Sequence, residues 1–390
     1  MKLNFVIFLV ILITFASCAS FIRQDDNEER NFTFKVIDDG KSIEIIRYTG
    51  RRREVVIPSQ IQNLPVTVLG EYSFIRSRLT SVVIPNSVTT IGKSAFELNQ
   101  LTSIVIPDSV KTIGELAFAE NQLYSVAISN SVKKIGPGAF IENLLTNVII
   151  PDSVKTIGEG AFAANQLTSV VIPDSVKTIE RSAFISNRLT SVVIPDSVET
   201  IGRSAFESNR LTSVVIPGSV KAIEDYSFSN NRLTSVVIPG SVEIIGRGAF
   251  AFNQLTSVVI SDSVEDIGEW AFSANMLISI VIPDSVETIG GRAFRSNQLT
   301  SVVIPSSVKI IGNYAFAANR LTEIVIPDSV EDIGSGAFMD NLLTSVVIPD
   351  SVKIIRPFAF VRNQLTSVVI PASVHVSTFA FEPIVNIIRE

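Results

Sequence analysis

The sequence is poor in the residues that most chemistry requires. Its 390 residues include one cysteine, Cys18, and one histidine, His375. Counting alone excludes a disulfide framework and a cysteine-based zinc site. A histidine-dependent triad would have to use His375, which falls in the last, irregular repeat and reads instead as a solvated substitute for Lys or Glu. Charged residues make up only 18%, with a net charge of −6. That balance argues against nucleic acid, whose binding needs cations to neutralise phosphates. No Gly-rich phosphate loop, metal-spaced ligand cluster or nucleophile motif is present. No catalytic residue, metal or cofactor is therefore assigned, and the chain is read as a non-enzyme. A disordered chain is excluded too, because 46% of the residues are apolar.

One long apolar run is present, at the N-terminus. Lys2 precedes Phe5 to Phe15, a run short of the roughly 20 residues that span a bilayer. It reads as the core of a secretory signal. It ends in Phe15-Ala16-Ser17-Cys18, which resembles a bacterial lipobox, with residues 1–17 removed and Cys18 carrying the lipid. Phe15 stands where leucine is usual, and ordinary signal-peptidase cleavage near Cys18 is the rival reading. Residues 18–31 are polar and charged and read as a tether.

The rest of the chain is a repeat. From Leu79, leucine recurs every 22 residues without a miss to Leu365. A typical unit runs from Leu167 to Arg188. Ser169-Val170-Val171-Ile172 is short and β-branched, so it predicts a strand. Pro173, lacking an N–H, turns the chain. Val176 and Ile179 point inward from a second extended piece. Glycine commonly follows that isoleucine, as at Gly92 and Gly158, which suits a sharp bend. A helical turn is expected around Ala183-Phe184. One such unit cannot bury its apolar side chains alone, so stacking at about 4.8 Å is predicted. Stacking turns equivalent positions into ladders: phenylalanines from Phe96 to Phe360, asparagines from Asn99 to Asn363, and the serine two after each proline. Each buried phenylalanine is expected to stabilise by roughly 1.5–3 kcal/mol. The recurring aspartate after proline (Asp108, Asp152, Asp174) is read as turn chemistry rather than a calcium site.

The run Leu-Thr-Ser-Val-Val-Ile-Pro-Asp-Ser-Val-Lys-Thr-Ile-Gly-Glu-Gly-Ala-Phe resembles the BspA-type leucine-rich repeats of bacterial surface proteins, over about residues 32–385. The resemblance implies a solenoid with a long parallel sheet, short second strands and short helical turns. It also implies export and a role in adhesion or host contact, without naming a ligand. Residues 32–78 are expected to be a cap and irregular first repeat, starting with a hairpin around Asp38-Asp39-Gly40. Residues 79–364 are read as thirteen regular repeats, and residues 365–390 as the last repeat and C-terminal cap.

Information about a partner is sought in positions that vary around the period. The strand should turn a valine column outward: Val171, Val193, Val215, Val237 and Val259 are its candidate binding residues. Strand propensity alone also accounts for valine there. The position after Ser-Val drifts from Lys111, Lys133, Lys155 and Lys177 to Glu243, Glu265 and Glu287, either a solvated face or a weak anion-binding edge. Tyr226, Trp270, Tyr314 and Phe358 share one position in every second unit. They form either an aromatic contact ridge or rings packed over small neighbours such as Gly248 and Gly336. The expected function is that of an exported, membrane-anchored surface protein holding a protein or carbohydrate partner on a cell or matrix surface. The alternative is a structural or antigenic surface scaffold with no dedicated ligand.

Overall fold

The computed structural model describes residues 29–390. The signal segment, Cys18 and most of the tether lie outside the described residues. The chain divides into two compact units, Met1–Leu189 and Thr190–Glu390, and each is a β-solenoid of stacked 22-residue turns. The division falls inside the repeat array.

The first unit opens with a cap. Strand β1 (Phe32–Ile37) pairs antiparallel with β2 (Ser42–Tyr48), closing through Asp38 and Asp39, both with positive φ. β2 then pairs in parallel with Leu64–Leu69, which starts the stack. Phe32, Tyr48 and Phe74 cluster beneath the cap, with Tyr48 stacked on Phe74 at 5.7 Å. These rings give the first phenylalanine of the spine an aromatic neighbour on its open side.

Each regular turn holds two strands. The first is Ser-Val-Val, as at Ser169–Val171, and the second Thr-Ile, as at Thr178–Ile179. Between them the Val176 N–H donates to the Pro173 carbonyl at 3.0 Å, closing a β-turn over Asp174 and Ser175. The long parallel sheet is built from the second strands. In the first unit it steps through Ile91, Ile113, Ile135, Ile157 and Ile179, and in the second from Ile201 to Ile355 and on to Val376. The first strands form two-stranded pairs, such as Ser235–Val237 with Ser257–Val259, or isolated bridges.

The glycine after the isoleucine is there for close approach. A Cβ on Gly268 would lie 2.8 Å from backbone atoms of the preceding turn, and on Gly312 2.6 Å. Neither has positive φ, so proximity between rungs, rather than the bend expected above, is what calls for glycine.

The turn carrying phenylalanine is not helical, contrary to expectation. Two residues per turn take positive φ, for example Ser182 and Ser186, or Tyr314 and Ala318. They flank the Ala-Phe pair and break any helix. Alternate N–H groups then bond forward to the next turn, as Phe96 does to Ala117 at 2.8 Å, and back within their own, as Glu97 does to Ser94.

The core follows the ladders. Within each unit the phenylalanine rings stack with centroids 4.9–5.7 Å apart. Each asparagine ties two turns together. Asn275 Nδ2 donates to the Phe250 carbonyl of the preceding turn and the Phe272 carbonyl of its own, while Oδ1 accepts from the Leu255 N–H. Serine does so less uniformly. Ser175 and Ser307 donate to the carbonyls of Val154 and Val286 one turn back, each at 2.7 Å, whereas the buried hydroxyls of Ser87, Ser109, Ser241 and Ser351 have no partner.

Candidate interaction surfaces

The valine column faces outward. In the first unit it is partly covered: Val83 and Ala127 are half-buried, and Val171 is the most exposed member. In the second unit it stands open from Val193 to Val347. Exposure there follows strand pairing. Val237 and Val259, in the paired rungs, are 62% and 59% exposed, against 80% for Val215, which lies in no strand. Val281, Val303, Val325 and Val347, held only by single bridges, are 70–79% exposed. Where rungs part, neighbouring valines stop covering one another. Thr and Ser lie ahead of the outward valine in most turns, with Ile278 and Glu323 as exceptions in the second unit, so the face reads mostly hydroxyl, hydroxyl, methyls.

Apolar residues also break the polar positions beside this stripe, which the repeat pattern did not flag. Met276 and Ile278 replace the usual polar residues of their turn and are exposed, as is Phe252 one turn earlier. In the first unit Tyr124 is exposed at the repeat position of Ile278, and Leu144 at that of Met276. Their signal in the sequence is substitution against the repeat, Ile278 where Thr256 and Thr300 stand on either side.

The aromatic column is packed against its neighbours. The guanidinium of Arg292 lies 4.7 Å from the Trp270 ring centroid and 5.1 Å from that of Tyr314, so one face of each ring is taken. A Cβ on Gly248 would come within 2.6 Å of the Tyr226 ring, and one on Gly336 within 2.4 Å of the Tyr314 ring. The two-unit period thus has a steric reason at Tyr226, Trp270 and Tyr314: each of these rings reaches across the following turn, which offers Gly248, Arg292 or Gly336. Tyr226, Trp270, Tyr314 and Phe358 all have positive φ, costly for side chains of that size. Phe358, stacked on Phe379 at 6.2 Å, is the most exposed of the four.

The charged column is neutralised where signs alternate. Lys309 pairs with Glu287 at 3.0 Å, and Lys353 pairs with Glu331. They line an open groove of about 670 Å³ with Ser307, Asp328 and Ser329. In the first unit Lys111, Lys133 and Lys155 are exposed, and no ion pair reaches them among the described residues. His375 pairs with Ile354, next to that column, and is exposed. Asp108 accepts from Ser129 Oγ at 2.7 Å in the adjoining turn. Among the described residues no group of three metal-ligating side chains converges.

These repeats match the model of the BspA type leucine-rich repeat region, in six copies, over residues 67–188, 177–298 and 287–388. The chain belongs to the BspA-type leucine-rich repeat family. Members of this family are typically bacterial surface proteins, often engaged in protein interaction. The fold is similar to that of a leucine-rich repeat protein from Bacteroides ovatus, with a TM-score of 0.67 at 23% identity over 94% of this chain and all of that one. It is also similar to a leucine rich cell surface protein from Faecalibacterium prausnitzii, with a TM-score of 0.52 at 27% identity over 79% of this chain and 94% of that one. No curated protein matches the sequence.

Proposed function

We propose that this BspA-type repeat protein is exported, anchored through a lipid on Cys18, and binds a protein partner on a cell or matrix surface along the open valine face of its second unit. The observation that carries the reading is the run of outward valines from Val193 to Val347, exposed in turn after turn. Monomeric proteins rarely leave a contiguous apolar stripe of that length in water. Phe252, Met276 and Ile278, also exposed in the second unit, supply larger side chains of the kind that dominate the energetics of such contacts. The similarity to a cell surface protein supports the location. No step in this role requires catalysis.

The test replaces Val215, Val237 and Val259 together with Lys and measures adhesion to cells and matrix proteins. Adhesion should fall while the melting temperature holds, because the three side chains contribute little to the core. Unchanged adhesion by a folded variant removes the valine face from the reading. Mass spectrometry of the mature N-terminus tests the anchor; an unmodified Cys18 excludes it.

A further inference from the structure

The chain is acidic, but its N-terminal cap is not. Residues 47–78 contain six arginines (Arg47, Arg51, Arg52, Arg53, Arg76 and Arg78), no lysine and two acids, Glu54 and Glu71. That is a balance of +4 over 32 residues in a protein whose net charge is −6. The fold brings the two halves of this segment side by side. The Tyr48 N–H donates to the Ser73 carbonyl at 2.7 Å, and the Thr80 N–H donates to the Arg53 carbonyl at 2.8 Å. The loop bearing Arg47 and Arg51 to Arg53 therefore runs along the loop bearing Arg76 and Arg78. Tyr48 Oη holds the loop by donating to the Arg52 carbonyl at 3.2 Å. All six arginines are exposed, and no ion pair reaches Arg47, Arg51, Arg53, Arg76 or Arg78 among the described residues.

We infer that this arginine face of the cap rests on an anionic bilayer, with phosphate-bearing lipid head groups as its ligand. The inference builds on the anchor proposed above. Cys18 and Glu29, where the described residues begin, are separated by a stretch that extends to at most about 40 Å. A lipid on Cys18 would keep the patch near the membrane at high effective concentration. A diacylglycerol on Cys18 would supply two chains and hold the protein to the membrane by itself. The patch then serves to orient the cap against that membrane. Guanidinium forks match phosphate oxygens, unpaired arginines forfeit no internal partner on docking, and the acidic remainder of the chain is repelled from the same surface. The expected arrangement holds the cap at the membrane and leaves the second unit's valine face free for a partner.

The test uses the full chain and vesicles of phosphatidylcholine alone or mixed with phosphatidylglycerol. The native protein should favour the anionic vesicles by about tenfold or more at physiological ionic strength, and lose most of that preference in about 1 M salt. The quadruple variant Arg51→Gln, Arg53→Gln, Arg76→Gln, Arg78→Gln should bind both vesicles alike while melting as the native protein does. The triple variant Lys111→Gln, Lys133→Gln, Lys155→Gln should keep the preference. A quadruple variant that still favours phosphatidylglycerol, or a native protein that never does, overturns the inference. An unmodified Cys18 combined with an arginine-dependent preference would sink the anchor alone and leave the patch standing.

Discussion

The two strand columns of the second unit differ in how they hold together. The Thr-Ile strands pair in register from Thr200–Ile201 to Ile354–Ile355. From Val193 to Val347 the Ser-Val-Val strands pair fully only between Ser235–Val237 and Ser257–Val259 and otherwise thin to single bridges or none, while at the C-terminal end Ser367–Ile370 pairs with Asn386–Arg389. The spacing is uneven as well. The N–H of Thr256 reaches the Thr234 carbonyl at 2.9 Å and that of Thr300 the Ile278 carbonyl at 3.0 Å, but that of Thr234 reaches Thr212 at 3.3 Å and that of Thr344 reaches Thr322 at 3.4 Å. One edge of each turn is drawn tight by glycine contacts, ring stacking and asparagine bonds. The opposite edge, where proline cuts the ladder short, is slack, and there the valines stand in water. Each turn is thus fastened on one side and looser on the other.

The largest effects should come from loosening the tight edge. Phe272→Ala empties one place in the ring stack and should cost about 3–5 kcal/mol of unfolding free energy in denaturant titration. Val281→Ala, one turn on but facing water, should stay within about 0.5 kcal/mol. Equal losses for the two would erase the distinction. Gly268→Ala forces a methyl to 2.8 Å from the backbone of the preceding turn and should destabilise by about 1–3 kcal/mol. Hydrogen exchange separates the columns without mutation. The amides of Ile223, Ile245 and Ile267 should exchange markedly more slowly than those of Val214 and Val215, and similar rates would show the slack edge to be as well held as the other. Arg292→Lys keeps the charge but loses the flat group between Trp270 and Tyr314. It should cost about 1 kcal/mol and alter tryptophan fluorescence, since Trp270 is the only tryptophan.

The smallest effect concerns a surface ion pair. Glu115, hydrogen-bonded to Lys93 at 2.9 Å, raises that ammonium above its ordinary value. A raised folded-state value means the contribution is complete below the ordinary lysine range and is lost as pH climbs through the folded value. Lys93→Met should therefore change the melting temperature slightly at neutral pH and not at all in strong alkali.

Much of this was legible because the repeat says the same thing many times. The period, the stacked rings of Phe96 to Phe360, the asparagine ladder and the outward valines all follow from one amphipathic unit that must bury its apolar face against copies of itself. What did not follow was which strand column would pair. Ser-Val-Val and Thr-Ile both carry β-branched residues, and the Thr-Ile column pairs even in the turns where Glu180, Glu224 and Arg356 replace the glycine, so composition does not mark the column that holds. The positive φ of Ser182 and Tyr314 was equally hidden, because residues other than glycine rarely advertise that conformation. The arginine patch of the cap needed the fold, since Arg53 and Arg78 come together only when the two loops are laid side by side.

The asparagine that ties each turn to its predecessor has a consequence for inheritance. Within a unit the bonds at Asn253, Asn275 and Asn297 are the same, so the asparagine ladder accepts any turn beside any other, and only the two-turn aromatic period sets a phase. A genetic exchange that drops or duplicates 132 nucleotides, two turns, would change the stack by two rungs, about 9.6 Å, and keep that phase. The protein's reach can then drift from one lineage to the next at little cost to folding, as a fence is altered by whole panels.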